Sequence, residues 1–284
     1  MGLTVAIVGA GAMGSAIGRR LVKNGCVVIA DLEGRSADSV ARAAVAGVKP
    51  VNRSGLAKAD FVLSIVPPDV AVSVARELAP LLGAVARPPV FIDCNATQPR
   101  EAVEMAKFME ESGVAFVDGS IIGSLPTDSY AGPTIYVSGA RAGDALVLND
   151  LKLIVKSMGV EIGAASAIKM CYGAITKGHI AIGAAMILAA ERAGVRDALL
   201  AEMELSLGAF LDGYRRSVPD MFSKARRWVP EMKNIAAFLG ESRAEHAIWE
   251  AAAAFYVQMA DDYSGEQADI AALSAALQAR GQGR

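Results

Sequence analysis

Thr4-Val5-Ala6-Ile7-Val8-Gly9-Ala10-Gly11-Ala12-Met13-Gly14 is the stretch that decides the fold. A short β-branched run leads directly into Gly-x-Gly-x-x-Gly, and a helix-compatible segment, Ser15 to Asn24, follows and is closed by Gly25. A strand, a glycine turn and a helix in that order are the setting in which this pattern binds a dinucleotide. Gly9 permits the tight turn, Gly11 lets the backbone approach a pyrophosphate, and Gly14 lets the helix pack against the strand. The N–H groups at the start of that helix then face the phosphates. The expected cofactor contacts are therefore Gly9, Ala10, Gly11, Ala12, Met13 and Gly14. Taken alone, the same letters describe a glycine-rich turn in an α/β core; the flanking strand and helix favour the nucleotide site.

Working outward, β-branched runs alternate with amphipathic segments through the first half. Strands are expected at Thr4–Val8, Val27–Asp31, Val48–Val51, Phe61–Val66, Val90–Asp93, Val114–Asp118 and Thr134–Ser138. Helical segments such as Pro68–Leu82 and Pro99–Ser112 lie between them, which implies βαβ units and a mainly parallel, doubly wound sheet. An amphipathic segment, Ala142–Ser157, leads to a last short strand at Val160–Ile162. Beyond Gly163 the strand-type runs stop, and Ala/Leu/Met-rich helical patterns predict helices at Ser166–Ala193, Arg196–Arg215, Asp220–Leu239, Arg243–Asp261 and Glu266–Ala279. The domains are thus expected at residues 1–163, an α/β Rossmann domain, and 164–284, an all-α substrate and dimerisation domain, joined through the first long helix. The tract from Ala181 to Ala190 is apolar on every face, so that helix should be buried throughout. Burial is easier if a second copy covers part of it, so a homodimer through the helical domain is expected. The tail Ala279 to Arg284 reads as frayed.

Composition narrows the function class. The chain has 284 residues and a formal net charge of −2, with no sustained basic stripe, which argues against a nucleic-acid partner. Its longest apolar stretch, Ile180 to Ala190, is too short to cross a bilayer, and no signal peptide is evident, so no membrane partner is expected. The 3 cysteines, Cys26, Cys94 and Cys171, are scattered without metal-ligand spacing. They fit reduced thiols in a cytoplasmic protein and argue against a zinc site. With only 2 histidines, His179 and His246, histidine-based catalysis has little to work with, and both read as packing or surface residues.

The end of the second strand bears on the cofactor. Asp31 stands where an NAD site places its ribose-binding acid. Gly34-Arg35-Ser36 just beyond it offers a flexible turn, a guanidinium and a hydroxyl, a suitable pocket for a 2′-phosphate. Arg35 and Ser36 therefore point to NADP, with NAD still possible; a solvated loop charge is the plainer account of Arg35.

Two further places carry polar groups worth following. Asn95 and Thr97 lie at the exit of a parallel strand, where open α/β sheets bind ligands. The loop around Gly123 and Ser124 can offer backbone N–H groups to an anion or simply close the chain.

These residues together resemble the β-hydroxyacid dehydrogenase family, which includes the 6-phosphogluconate and 3-hydroxyisobutyrate dehydrogenases. The resemblance spans the whole chain: the Val5 to Gly14 fingerprint, Ser64-Ile65-Val66-Pro67, Asp93-Cys94-Asn95-Ala96-Thr97, and Asp118-Gly119-Ser120-Ile121-Ile122-Gly123-Ser124, where the family carries its substrate-binding Asp-x-x-x-Ser-Gly-Gly. It ends with Gly163-Ala164-Ala165-Ser166-Ala167-Ile168-Lys169, where the family carries its catalytic lysine. The Gly34-Arg35-Ser36 turn and the stretch from Lys224 to Met232 are similar to a less characterised branch with a distinct helical C-terminal domain. The resemblance implies cofactor contacts from Val66, Pro67, Asn95 and Lys233, and substrate contacts from Ser120, Gly123, Ser124 and Asn95.

Lys169 also stands out by itself, because a charge in the apolar stretch from Ala164 to Cys171 is costly without a task or partner. Burial beside an oxidised nicotinamide would depress its pKa. It could then take a proton from a hydroxyl and return it, while the cofactor performs the hydride chemistry. A lysine snorkelling at a domain junction is the alternative.

Helical spacing brings Tyr172, Gly173, Thr176 and Lys177 near the same face. Gly173 stands where the family has Asn, and Ile122 and Ser124 stand where it has Ser and Gly. The substrate is therefore expected to differ in detail from the usual small β-hydroxy acid, with Tyr172, Gly173 and Lys177 lining its site; Lys177 reads equally as a surface charge. The expected activity is an NADP-dependent oxidoreductase acting on a small hydroxy acid or semialdehyde in the cleft between the domains. An imine reductase of the same two-domain plan and a catalytically silent NADP-binding sensor are the alternatives.

Overall fold

The computed structural model describes residues 2–278. The β-branched runs of its first half form one sheet. β1 (Thr4–Val8), β2 (Val27–Asp31), β3 (Lys49–Val51), β4 (Phe61–Ser64), β5 (Val90–Asp93), β6 (Phe116–Ile122), β7 (Thr134–Ser138) and β8 (Ile154–Ser157) lie in the order β3-β2-β1-β4-β5-β6-β7-β8. β1 to β6 run parallel to one another; β7 runs antiparallel to β6, and β8 is parallel to β7. The order reverses direction between β1 and β4, so the exits of these strands form the crevice in which open α/β sheets bind ligands.

Successive side chains of a strand point to opposite faces, and both faces here are covered. Val5, Ile7 and Val28 pack with Ile17 and Leu21 of α1 (Ala12–Lys23) and Ala43 of α2 (Ala37–Val45). Ala6, Val8 and Val62 pack on the other side with Leu78 and Leu82 of α3 (Pro68–Gly83) and Met105 and Met109 of α4 (Pro99–Glu111). The fold is thus a Rossmann-like, mostly parallel sheet followed by a helical region.

Three expectations for this half are corrected. The segment Ala142–Ser157 is not an amphipathic helix: it is a 3-10 turn, Ala142–Asn149, followed by β8, and Val160–Ile162 is not a strand. Asn149 forces the change. Its Oδ1 accepts Val155 N at 2.8 Å and its Nδ2 donates to Leu146 O at 3.0 Å, while Lys152 adopts a positive φ of 63°. Finally, β6 starts later than expected and runs past Asp118 to Ile122, because its antiparallel register with Thr134–Ser138 continues that far. Ser120 and Ile121 are therefore strand residues.

The chain separates into two compact units, residues 1–169 and 170–284, and the division falls inside α5 (Ala164–Arg192). The second unit contains the rest of α5 with α6 (Arg196–Ser206), α7 (Gly208–Phe222), α8 (Ala225–Leu239), α9 (Ala244–Ser264) and α10 (Ala268–Gln278). The helix expected over Arg196–Arg215 is broken at Leu207, whose φ of −133° is not helical. The helix expected from Asp220 begins at Ala225, because α7 continues through Asp220 to bury Val218 and Met221. The frayed tail expected at 279–284 lies outside the described residues.

α5 is not buried throughout. Ile175, Ile182 and Met186 are 69%, 57% and 57% exposed and recur at helical spacing along one face. By length and composition alone α5 is apolar enough to cross a membrane, longer than the run of 180–190 from which the opposite was expected; half of its most apolar window is buried within the protein.

Candidate functional site

The glycine turn follows β1 directly. Gly9 has φ +94°, and a Cβ there would stand 2.2 Å from Ile65 O at the exit of β4. A Cβ on Gly14 would meet Gly9 O at 2.2 Å. Only glycine fits either position. Gly11 differs, since nothing lies within 4 Å of its added Cβ. It is the N-cap of α1, and among the described residues it brings no side-chain cap to that helix. Ala10, Ala12 and Met13 share this turn. Open space in front of an uncapped helix start fits a pyrophosphate, so the residues present suit a dinucleotide.

At the exit of β2, Asp31 Oδ1 accepts Glu33 N at 3.1 Å. Arg35 is exposed, and Ser36 caps α2 by accepting Ser39 N at 3.3 Å. Ser36 also donates to Ser39 Oγ at 3.0 Å, and Arg42 Nη2 reaches the same hydroxyl at 3.0 Å. Two arginines and two hydroxyls thus gather at the start of α2. Ser39 and Arg42 were not singled out in the sequence because they lie within α2, Ser39 in its first turn and Arg42 in its last, rather than in the loop.

The exits of β4 and β5 are tied together by Asn95. Its Oδ1 accepts Val66 N at 2.7 Å, and its Nδ2 donates to Ser64 Oγ at 3.1 Å and to Asp93 Oδ1 at 2.5 Å. Thr97 Oγ1 donates to Asp93 Oδ2 at 3.1 Å. Burial pushes the Asp93 carboxyl up to about 7, against the Asn95 and Thr97 bonds that favour its charge. Asn95 and Thr97 are buried, so their side chains brace the Val66-Pro67 turn and satisfy Asp93.

β6 and the first turns of α5 carry Lys169. Lys169 Nζ donates to Ile121 O at 2.5 Å. Ser120 is fully buried and its hydroxyl has no partner among the described residues, so it stands inside the sheet; Gly123 and Ser124 are exposed just past the strand. The loop that follows is clamped to α1. Arg20 Nη2 donates to Thr127 O at 2.7 Å and Tyr130 O at 2.8 Å, and Lys23 pairs with Asp128 at 2.6 Å, which holds that carboxyl below its ordinary range.

Within the helical unit, Tyr172 is exposed, and a Cβ on Gly173 would make only ordinary contact, 3.9 Å from Ile235 Cδ1. Lys177 pairs with Glu231 and lies 5.6 Å from the centre of the Trp228 ring. It is therefore neither a bare surface charge nor an open anion receptor. Two neighbouring basic residues are paired too: Lys224 with Asp220 at 2.5 Å and Arg226 with Asp261 at 2.6 Å. Lys233 is exposed on α8. His179 stacks on Tyr214 at 4.6 Å, and His246 Nδ1 lies 2.8 Å from Ala236 O, both in packing roles.

Comparison with known proteins agrees with this geometry. Residues 4–170 match the family model of the NAD binding domain of 6-phosphogluconate dehydrogenase, and residues 190–259 match a domain of unknown function (DUF1932). An uncharacterized oxidoreductase from Synechocystis is 28% identical over 205 residues, covering 69% of each chain. A solved protein of unknown function, described as structurally similar to 3-hydroxyacid dehydrogenases, superposes with a TM-score of 0.75 at 29% identity over 91% of this chain and 97% of its own. The Mycobacterium tuberculosis 3-hydroxyisobutyrate dehydrogenase shares the fold at TM-score 0.69 and 21% identity over 98% of each chain. Imine reductase from Myxococcus stipitatus, solved with NADP+, also shares the fold at TM-score 0.57 and 16% identity, covering 97% of this chain and 100% of its own. With a glycine turn shaped for a dinucleotide and a family model covering more than half its length, this chain belongs to the 6-phosphogluconate dehydrogenase NAD-binding family and is an NAD(P)-dependent, hydroxyacid dehydrogenase-like oxidoreductase.

Proposed function

We propose that the protein is an NADP-dependent oxidoreductase of small hydroxy acids or semialdehydes, with Lys169 as its acid/base. The observation that carries this reading is the Lys169 ammonium held 2.5 Å from Ile121 O, on the strand that ends in the exposed Gly123-Ser124 turn. Bound nicotinamide supplies the hydride chemistry. In oxidation the neutral Lys169 amine takes the proton of a substrate hydroxyl at Nζ and becomes the ammonium, and in reduction the ammonium returns that proton to the substrate oxygen. Gly123 and Ser124 offer backbone N–H groups to a carboxylate. Gly9 to Gly14 hold the pyrophosphate, and Val66 and Pro67 border the nicotinamide half. The choice of NADP rests on Arg35 and Ser36, supported by Ser39 and Arg42 at the same helix start.

The exposed face with Ile175, Ile182 and Met186 supports a homodimer through the helical region, since an apolar stripe of this size is covered in stable assemblies. A small-molecule substrate is the proposed partner, with neither nucleic acid nor membrane, in the cytoplasm; the near-neutral charge and the free thiols support this.

Lys169→Ala tests the reading. NADPH binding, followed by nucleotide fluorescence, should be unchanged, and turnover should fall on the order of 10²–10⁴-fold. Retained turnover would end the assignment. A panel of hydroxy acids, semialdehydes and cyclic imines separates this activity from imine reduction, to which the imine reductase fold likeness lends some support. Cofactor binding with no turnover across the panel would favour a sensor.

A further inference from the structure

The first N–H groups of a helix have no intrahelical acceptors and are ordinarily capped by the residue just before it. Gly163, which precedes α5, has φ +98° and no side chain to do this. A carboxylate from another element does it instead. Asp118 Oδ2, from β6, accepts Gly163 N and Ser166 N, each at 3.0 Å, and Ser138 Oγ at 3.0 Å. Asp118 Oδ1 accepts Ser166 Oγ at 2.6 Å, and Ser138 Oγ in turn accepts Ala165 N at 3.1 Å. Asp118 and Ser166 are fully buried. Each partner of Asp118 donates, so the arrangement fits the ionised carboxylate, and the helix start favours a negative charge. Burial pushes the other way and raises the Asp118 pKa.

Three residues further along β6, Ile121 O accepts the Lys169 ammonium, and Lys169 stands three residues after Ser166 on α5. The strand and the helix are therefore joined at two points, three residues apart in sequence on each. One point fixes the helix backbone and the other receives the lysine head. A cap that only stabilised the helix would have no need to share a strand with the lysine's acceptor.

We propose that Asp118 is a positioning residue of the reaction: by fastening the Ser166 turn to β6 it sets where the Lys169 ammonium stands, without touching the reacting atoms. The proposal rests on the reading of Lys169 as the acid/base.

The test labels the full-length protein with acetic anhydride across a pH series and follows Lys169 by mass spectrometry, with exposed Lys107 as the internal reference. In Asp118→Asn an amide donor replaces a carboxylate oxygen. The turn should loosen and Lys169 should leave Ile121 O, labelling about tenfold faster at each pH. NADPH affinity should stay within about twofold of the wild type. If Asp118→Asn fails to fold, Ser166→Ala removes one hydroxyl donor and carries the same readout with a smaller change. A wild-type labelling profile for Lys169 in the folded variants, with only a lowered melting temperature, would overturn the proposal and leave Asp118 a structural cap. Labelling reports where the lysine stands, whereas turnover of Lys169→Ala reports what it does, so the two readings fail separately.

Discussion

The two compact units use glycine for opposite purposes. In the first, a Cβ on Gly9 or Gly14 would run into backbone carbonyl oxygen, while Gly11 faces open space. These glycines shape a main chain that must approach a ligand. In the second, a Cβ on Gly178 would stand 1.8 Å from Trp249 Cζ3, and one on Gly183 would stand 2.2 Å from Tyr214 Cε1. These glycines are notches on α5 that admit aromatic rings. Backbone shaping for a phosphate demands a fixed spacing within a few residues, and that spacing can be read. A notch answers to a ring tens of residues away on another helix, and no local pattern announces it. The same contrast holds for buried polar groups: Asp93 and Asp118 sit in dense hydrogen-bond clusters in the sheet unit, whereas the Tyr256 hydroxyl in the helical unit donates to the backbone at Lys177 O, at 2.5 Å.

The contrast between glycines can be broken most sharply at the turn. Gly14→Ala should remove measurable NADPH binding, because its Cβ collides with backbone that cannot move without opening the turn. Gly11→Ala should melt like the wild type and still bind NADPH less tightly, since its Cβ enters only the space left for the phosphates. Equal loss of stability in both variants would contradict that division. Gly183→Ala should behave in the reverse manner. It should cost about 1–3 kcal/mol in denaturant unfolding through overpacking against Tyr214 and leave NADPH affinity unchanged.

A smaller effect is expected at the end of β2. Arg35→Ala should raise the KM for NADPH about tenfold, the loss of a charged hydrogen-bonding partner, and leave the KM for NADH nearly constant. Equal changes for both cofactors would remove the NADP preference and return the weight to Asp31. A pH dependence is expected as well. The Asp93 carboxyl is raised from 3.8 to about 7 by burial, so between those values the folded state binds a proton that the unfolded state has released. Stability from this residue is therefore greatest below pH 3.8 and declines as pH rises towards 7. Melting temperatures of Asp93→Asn and wild type, measured between pH 5 and about pH 7.5, should show the wild type losing ground as pH increases. Parallel curves would mean that Asp93 titrates elsewhere.

Much of the first unit was legible because its signals are local. Thr4–Val8, Val27–Asp31 and Val90–Asp93 are strands at the residues expected, since β-branched runs bounded by turns have few other ways to be buried. The error at 142–157 came from reading apolar spacing without the side chain of Asn149, which accepts and donates across a turn and so ends the helical pattern. Lys169 was singled out because a charge in an apolar helix start is conspicuous. Asp118 was seen only as part of a motif, although an acid in the apolar strand Phe116–Ile122 carries the same signal of cost and partner. Lys177 showed its charge but not Glu231, 54 positions away.

The sequence alone determined the nucleotide turn, the parallel sheet behind it, the change to helices after Gly163 and the lysine that opens α5. These follow from spacing, strand propensity and the cost of a lone charge, all of which act over a few neighbouring residues. Only the tertiary structure decided that Ser120 faces inward, that Asn95 braces Val66 instead of presenting its amide, that α5 keeps an exposed apolar face, and that a carboxylate on β6 caps the helix of Lys169. Each of these depends on which distant residue arrives at a given hydrogen-bonding distance, and the register between strands and helices sets that.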